Sequence, residues 1–362
     1  IEAAEKAGYK HFMLKEIFEQ PRAIADSLLG RIGDAEIDAL LEGLRPVRRV
    51  KILACGSSAH AGLVGRYLLE TIARVPASVE IASEYRYTES LPEEALIVAL
   101  TQSGETLDTL NALRESKRRG SASLGITNVV GSSVTREAGR MIYTRAGPEI
   151  GVAATKTFTT QIVALTLLAL AVGRANGEVA PEKLRYYQRQ LRRLPQAVQS
   201  VLWQNEKLLE IARKYAQVKD VYFIGRHVNY PSAVEGAHKL KEISYVHAEA
   251  YAAGELKHGA NALLGPELPV VAIAVKDALY PKMLSNIGEC TARGSPMLAI
   301  GTEGDMELEK VAEDTVLVPE VDPMLSPIPV TVALQLFAYH IADLRGCSVD
   351  RPRNLAKTVT VE

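Results

Sequence analysis

An α/β fold of two tandem domains, each a parallel sheet flanked by helices, is what this sequence predicts, and three observations carry it. Apolar runs without polar alternation recur between helical stretches, the order of these runs repeats in the two halves, and the first half passes twice from such a run into a Gly/Ser/Thr turn that opens a helix. At 362 residues the chain exceeds one ordinary core, so two domains are the starting expectation.

The elements follow in order. The first half offers strands over residues 51–54, 96–100, 123–126 and 141–144, and the second half repeats them over 221–224, 270–275, 297–300 and 315–318. Strands alternating with helices require right-handed crossovers, which give a mostly parallel sheet in each half. Between the halves lies 181–218, rich in Leu, Arg, Gln and Lys at helical spacing. It reads as a helical connector interrupted by Pro195, with its basic residues on a solvated face. The expected domains are 1–195, carrying the Gly/Ser/Thr turns, and 196–362.

Composition narrows the function classes. The chain is 47% hydrophobic and 23% charged with a net charge of −1, so nothing in it pulls globally toward nucleic acid or a membrane, and a small-molecule partner is expected. Cys55, Cys290 and Cys347 lie far apart, which suggests neither a disulfide framework nor a zinc site and fits a reducing cytoplasm. The longest apolar stretch, 162–172, is too short to span a bilayer, and no positively charged leader with an apolar core begins the chain. The chain starts at Ile1 rather than Met and is read as a piece of a longer protein.

The most informative segment is Ala95-Leu96-Ile97-Val98-Ala99-Leu100 running into Thr101-Gln102-Ser103-Gly104-Glu105-Thr106. A helix N-terminus offers unpaired N–H groups and a partial positive charge, and Thr101, Ser103 and Thr106 add hydroxyls that can converge on one phosphate. No Lys or Arg lies in the loop, which favours a phosphomonoester over a nucleotide triphosphate. Taken alone, the loop reads equally well as an ordinary turn whose hydroxyls cap a helix. A second turn, Cys55-Gly56-Ser57-Ser58, follows the first strand, and loops at the carboxyl ends of neighbouring parallel strands line one crevice. That convergence favours phosphate. The second half has Lys276-Asp277-Ala278-Leu279-Tyr280-Pro281 at the matching place, so only the first half is built for it.

These turns, with Glu149-Ile150-Gly151-Val152-Ala153, the block over 235–259 and the ending Asp350-Arg351-Pro352-Arg353-Asn354-Leu355-Ala356-Lys357-Thr358-Val359-Thr360-Val361-Glu362, resemble the sugar isomerase domains of the glutamine:fructose-6-phosphate aminotransferases, or glucosamine-6-phosphate synthases. The resemblance runs over about 11–362 and lacks the family's amino-terminal glutaminase domain. It implies two sugar isomerase (SIS) domains and an enzyme acting on fructose 6-phosphate without metal, nucleotide or other cofactor. With ammonia from a glutaminase the product would be glucosamine 6-phosphate; without it, glucose 6-phosphate. Ser57, Ser58, Thr101, Gln102, Ser103, Thr106, Val152 and Ala153 are the implied substrate-binding residues.

The implied catalytic residues also have plainer readings. Glu235, Lys239 and Glu242 fall at i, i+4 and i+7 on one helix face, a spacing that on an arbitrary helix means surface ion bridges. Ketose-to-aldose conversion needs a base that takes a proton from C1 and returns it to C2, and the resemblance gives this to Glu242 with Lys239 assisting at the sugar hydroxyls. His258, ordinarily a structural residue, is implied to open the furanose ring and to reach into a neighbouring subunit's site, which makes a homodimer the smallest active unit. His247 is read as structural. Lys357, near the chain end, would ordinarily be a solvated charge; its little-charged approach through Pro352, Asn354, Leu355 and Ala356 suits a packed segment, and the resemblance makes it the Schiff-base lysine at C2.

Three departures stand out. Ala59 replaces a usual tyrosine, Thr101 a usual serine and Ala260 a usual proline. Thr101 keeps the hydroxyl and so affects phosphate binding little, whereas Ala59 and Ala260 alter the wall and stiffness near the site and bear on affinity more than on reaction type. The rival readings are another phosphosugar isomerase or deglycase, and a non-catalytic sugar-phosphate sensor that would not need Glu242, Lys357 and His258 together.

Overall fold

A computed structural model describes residues 5–42, 46–87 and 94–357. The first sheet contains β1 (Val50–Ala54), β2 (Ala77–Ile81), β3 (Leu96–Leu100), β4 (Ser123–Thr127) and β5 (Arg140–Tyr143); the second contains β6 (Asp220–Gly225), β7 (His247–Ala252), β8 (Val270–Ala274), β9 (Met297–Thr302) and β10 (Asp314–Val318). Their orders are β2-β1-β3-β4-β5 and β10-β9-β8-β6-β7. Read from opposite edges, these are one topology used twice, and every pairing is parallel.

Every residue of β3, β4, β8 and β9 is buried, as expected for strands covered by helices on both faces. The sequence reading missed β2 and β7. Both are edge strands, and their residues are partly exposed and rich in alanine or charge, so no apolar run announces them.

The helices that matter for the site are α1 (Phe12–Phe18), α2 (Gly56–Leu68), α3 (Leu107–Arg118), α4 (Ser133–Glu137), α5 (Lys156–Ala175), α6 (Pro181–Leu202), α7 (Tyr230–Ser244) and α8 (Pro327–Leu344). Pro195 does not interrupt the connector: α6 continues through it. A proline costs about 3 kcal/mol inside a helix, but Leu184, Leu191, Leu194, Val198 and Val201 are buried along one stripe, each stabilising by roughly 1.5–3 kcal/mol. Among the described residues two helices, Lys156–Ala175 and Pro323–Leu344, are long and apolar enough to cross a membrane; their apolar windows are 89% and 100% buried within the fold, the behaviour of core helices.

The chain forms two compact units that interleave in sequence, where the sequence reading places one boundary at 195/196. The second-sheet unit holds the chain up to Pro21, Ile150–Thr155 and Leu194–Leu355; the first-sheet unit holds Arg22–Glu149, Lys156–Arg193 and the tail from Ala356. Long-range hydrogen bonds explain the exchange. In the second-sheet unit Asp350 accepts the backbone N–H groups of Phe12 at 3.0 Å and Met13 at 2.9 Å, and α1 packs on α8. Glu16 of α1 in turn accepts the N–H groups of Ile150 at 2.5 Å and Gly151 at 3.2 Å.

Candidate active site

The first-sheet unit carries the hydroxyl loop. β1 and β3 are hydrogen-bonded neighbours, in register Leu53↔Ala99, yet α2 leads from β1 toward edge strand β2 whereas α3 leads from β3 toward β4 on the other side. Diverging connections open a crevice at the carboxyl ends of β1 and β3, the place where open α/β sheets take ligands. Thr109 Oγ1 of α3, 3.9 Å from Cys55 Sγ at the end of β1, ties the two turns together.

Within this crevice the hydroxyls are not spent as helix caps. Thr106 precedes α3 without a side-chain cap, and its Oγ1 lies 2.9 Å from that of Thr101, which is only 2% exposed. Ser103 Oγ accepts the Glu105 N–H at 3.1 Å, and Thr127 Oγ1 donates to the Gln102 carbonyl at 3.1 Å. Gly104 is required: its φ is +67°, and a Cβ there would lie 2.0 Å from Ser132 Oγ. Glu105 Oε1 accepts the Ser133 N–H and Oε2 the Ser133 hydroxyl, each at 2.7 Å, so the loop's acid serves the N-terminus of α4. Those two bonds hold its carboxyl below the usual range.

In the other turn Gly56 adopts φ +54°, placing Ser57 and Ser58 in the first turn of α2, whose N-cap Cys55 provides no side-chain cap. Ser58 Oγ accepts from Gln161 Nε2 of α5 at 2.9 Å, and burial pushes the Cys55 thiol upward. The same unit holds Lys357, whose Nζ lies 2.6 Å from Glu149 Oε2. The little-charged approach read from the sequence therefore ends on a buried carboxylate. Residues 358–362 of the carboxyl-terminal motif lie outside the described residues.

The second-sheet unit carries Glu235, Lys239 and Glu242 on α7. They are not surface bridges: the side chains of Lys239 and Glu235 are 1% and 0% exposed. Lys239 Nζ lies 2.5 Å from Glu242 Oε2 and 3.5 Å from Glu235 Oε1, and His238 Nε2 lies 3.8 Å from the same Glu242 oxygen. A buried lysine between two carboxylates holds Glu242 in one orientation.

Ala153 is fully buried, and the Val152 N–H donates to the Asp350 carbonyl at 3.1 Å. His258 is exposed at the end of a 3-10 turn, Ala253–His258, and makes no hydrogen bond among the described residues. His247, on edge strand β7, pairs with Asp220 at 2.8 Å. Among the described residues no group of three or more His, Cys, Asp or Glu side chains is arranged to hold a metal ion.

The sequence reading assigned no role to Glu16, Glu149 or Asp350. Glu149 lay within a quoted motif, but its contact with Lys357 spans 208 positions, and no local spacing reports such a pair.

Tandem open parallel sheets with a hydroxyl-lined switch point define a class of ligand-binding α/β modules, and a family model matches this architecture: the SIS domain covers residues 43–171 and again 214–344, so the chain belongs to the SIS-domain family. Over its whole length it is similar to glutamine–fructose-6-phosphate aminotransferases (isomerizing): 53% identical to that of Thermus thermophilus over 367 residues and 52% to that of Methanosarcina acetivorans over 370. The chain spans 61% and 60% of these relatives' lengths. A solved structure, the C-terminal domain of glucosamine-fructose-6-phosphate aminotransferase from Francisella tularensis, superposes with a TM-score of 0.91 at 39% identity, covering 96% of this chain and 100% of that one.

Proposed function

We propose that this chain is the isomerase portion of a glutamine–fructose-6-phosphate aminotransferase, taking fructose 6-phosphate to glucosamine 6-phosphate with ammonia from a glutaminase domain. Its whole-length likeness to enzymes of that name carries the reading. The hydroxyl loop and the buried α7 cluster supply compatible chemistry.

Ser57, Ser58, Thr101, Gln102, Ser103 and Thr106 bind the phosphate ester with neutral donors and the N-termini of α2 and α3, and Val152 and Ala153 line the sugar. His258, supplied from a second copy in a homodimer, gives and takes the protons of ring opening; its exposure fits a group that works outside its own unit. The amine of Lys357 adds to C2 of the open chain and water leaves; ammonia then adds to C2 of the resulting Schiff base and the C2–Nζ bond breaks, freeing the lysine. Glu242 then carries a proton from C1 to C2, with Lys239 holding it in position.

Product analysis tests this reading. With fructose 6-phosphate and an ammonium salt, the chain should yield glucosamine 6-phosphate, and with fructose 6-phosphate alone, glucose 6-phosphate. Turnover of a different sugar phosphate with neither product formed would assign the chain to another isomerase or deglycase activity.

A further inference from the structure

Imine formation requires Lys357 to attack as a neutral amine and to shed protons as the imine forms, and no group named so far takes the first of them. One is in place. Glu149 Oε2 lies 2.6 Å from Lys357 Nζ, within reach of direct proton transfer.

The pair is asymmetric in a way that an exposed ion pair is not. The Glu149 side chain is 0% exposed, whereas that of Lys357 retains 23%. An isolated buried carboxylate is costly, but Thr157 at the start of α5 donates its N–H to Oε1 at 3.1 Å and its hydroxyl to Oε2 at 2.7 Å. The carboxylate is thus fixed by the helix it faces, and the lysine it holds comes from a segment, 347–357, that is neither helix nor strand. A fixed acceptor gripping a tail-borne amine determines where that amine sits and where its proton goes.

We infer that Glu149 is the positioning residue for Lys357: it orients Nζ for attack and receives the first proton Nζ loses. The step balances. One proton passes from the Lys357 ammonium to the Glu149 carboxylate, and the freed lone pair forms the N–C2 bond while the C2 carbonyl electrons move to oxygen. That oxygen gains two protons, one returned through Glu149 and one from nitrogen, and the C2–O bond breaks to release water and leave the protonated imine. This inference rests on the reading of Lys357 as the imine-forming amine.

Borohydride trapping of the fructose 6-phosphate adduct, followed by intact mass across neutral to alkaline pH, tests it. Glu149→Gln should leave the dissociation constant for fructose 6-phosphate near the wild-type value, while the trapping rate at neutral pH falls about a hundredfold, the scale of a lost proton acceptor. The rate should climb back as the pH is raised and bulk base substitutes for the carboxylate. A purely structural role would depress binding and trapping alike at every pH, and that result, or wild-type trapping with a wild-type pH profile, overturns the inference. Should Glu149→Gln fail to fold, Thr157→Val keeps the carboxylate but removes its hydroxyl donor. It should slow trapping by a smaller factor with the same recovery at high pH, and an unchanged profile overturns the inference. Lys357→Ala separates the two readings: an adduct that persists in that variant removes Lys357 itself, and Glu149's role with it.

Discussion

Replacing Lys239 by methionine isolates the buried charge cluster of α7. The substitution keeps most of the side-chain volume and removes one positive charge from between two carboxylates. At 2.5 Å and 3.5 Å, with an effective dielectric near 20, the gross attractions are about 7 and about 5 kcal/mol. Desolvation of the three charges offsets most of this, and breaking a buried pair by removing one partner leaves a net loss of about 3–5 kcal/mol. Urea unfolding followed by circular dichroism should show the second-sheet unit's midpoint falling by about 2 M, taking a slope of about 2 kcal/mol/M. Adding Glu235→Gln to Lys239→Met should recover about 1 kcal/mol or more, because the fully buried carboxylate no longer lacks its cation. If Lys239→Met unfolded within about 0.5 kcal/mol of wild type, the cluster would not be a buried ion network and its orienting of Glu242 would have no basis.

Other perturbations address the first-sheet unit. Thr106→Ala and Ser103→Ala should each weaken fructose 6-phosphate binding by about 1.5–3 kcal/mol, the value of a hydrogen bond to a charged group, measured by calorimetry; unchanged affinity in both would remove the loop from the site. Gly104→Ala should lower the thermal midpoint by an amount equivalent to about 1–3 kcal/mol, since it combines a positive φ of +67° with a Cβ 2.0 Å from Ser132 Oγ; a wild-type midpoint would contradict the loop geometry. Glu105 has a folded-state pKa below its ordinary 4.5, because of its two bonds from Ser133, so its contribution is complete above that value and disappears as pH falls through the lower folded value. The stability gap between wild type and Glu105→Gln should therefore be constant near neutrality and close in acid, and a gap that widened in acid would reverse the sign of this argument.

The parts of the fold written as continuous apolar runs were legible, because a strand covered on both faces needs no polar positions. β2 and β7 were not, since an edge strand half open to solvent carries residues such as Ser78, Glu80, His247 and Glu249 that imitate a loop. Pro195 misled for a related reason: local backbone preference argued for a break, while the buried stripe on α6 lay in tertiary context. Among the site residues, hydroxyl loops and helix-spaced charges were readable because their members are close in sequence. The burial of the Glu235–Lys239–Glu242 cluster was not, because a charged i, i+4, i+7 pattern looks the same on a surface. The Glu149–Lys357 and Glu16–Gly151 contacts join positions 208 and 135 residues apart, where only the folded chain provides the adjacency.

In the proposed function this chain moves a proton between C1 and C2 of a sugar phosphate. Proton NMR of fructose 6-phosphate in heavy water with the purified chain tests it directly. The account predicts deuterium entering at C1 as glucose 6-phosphate appears, with both changes abolished by Glu242→Gln. Substrate resonances that broaden on binding while every C1 proton persists would contradict it and leave a protein that holds the sugar phosphate without transforming it.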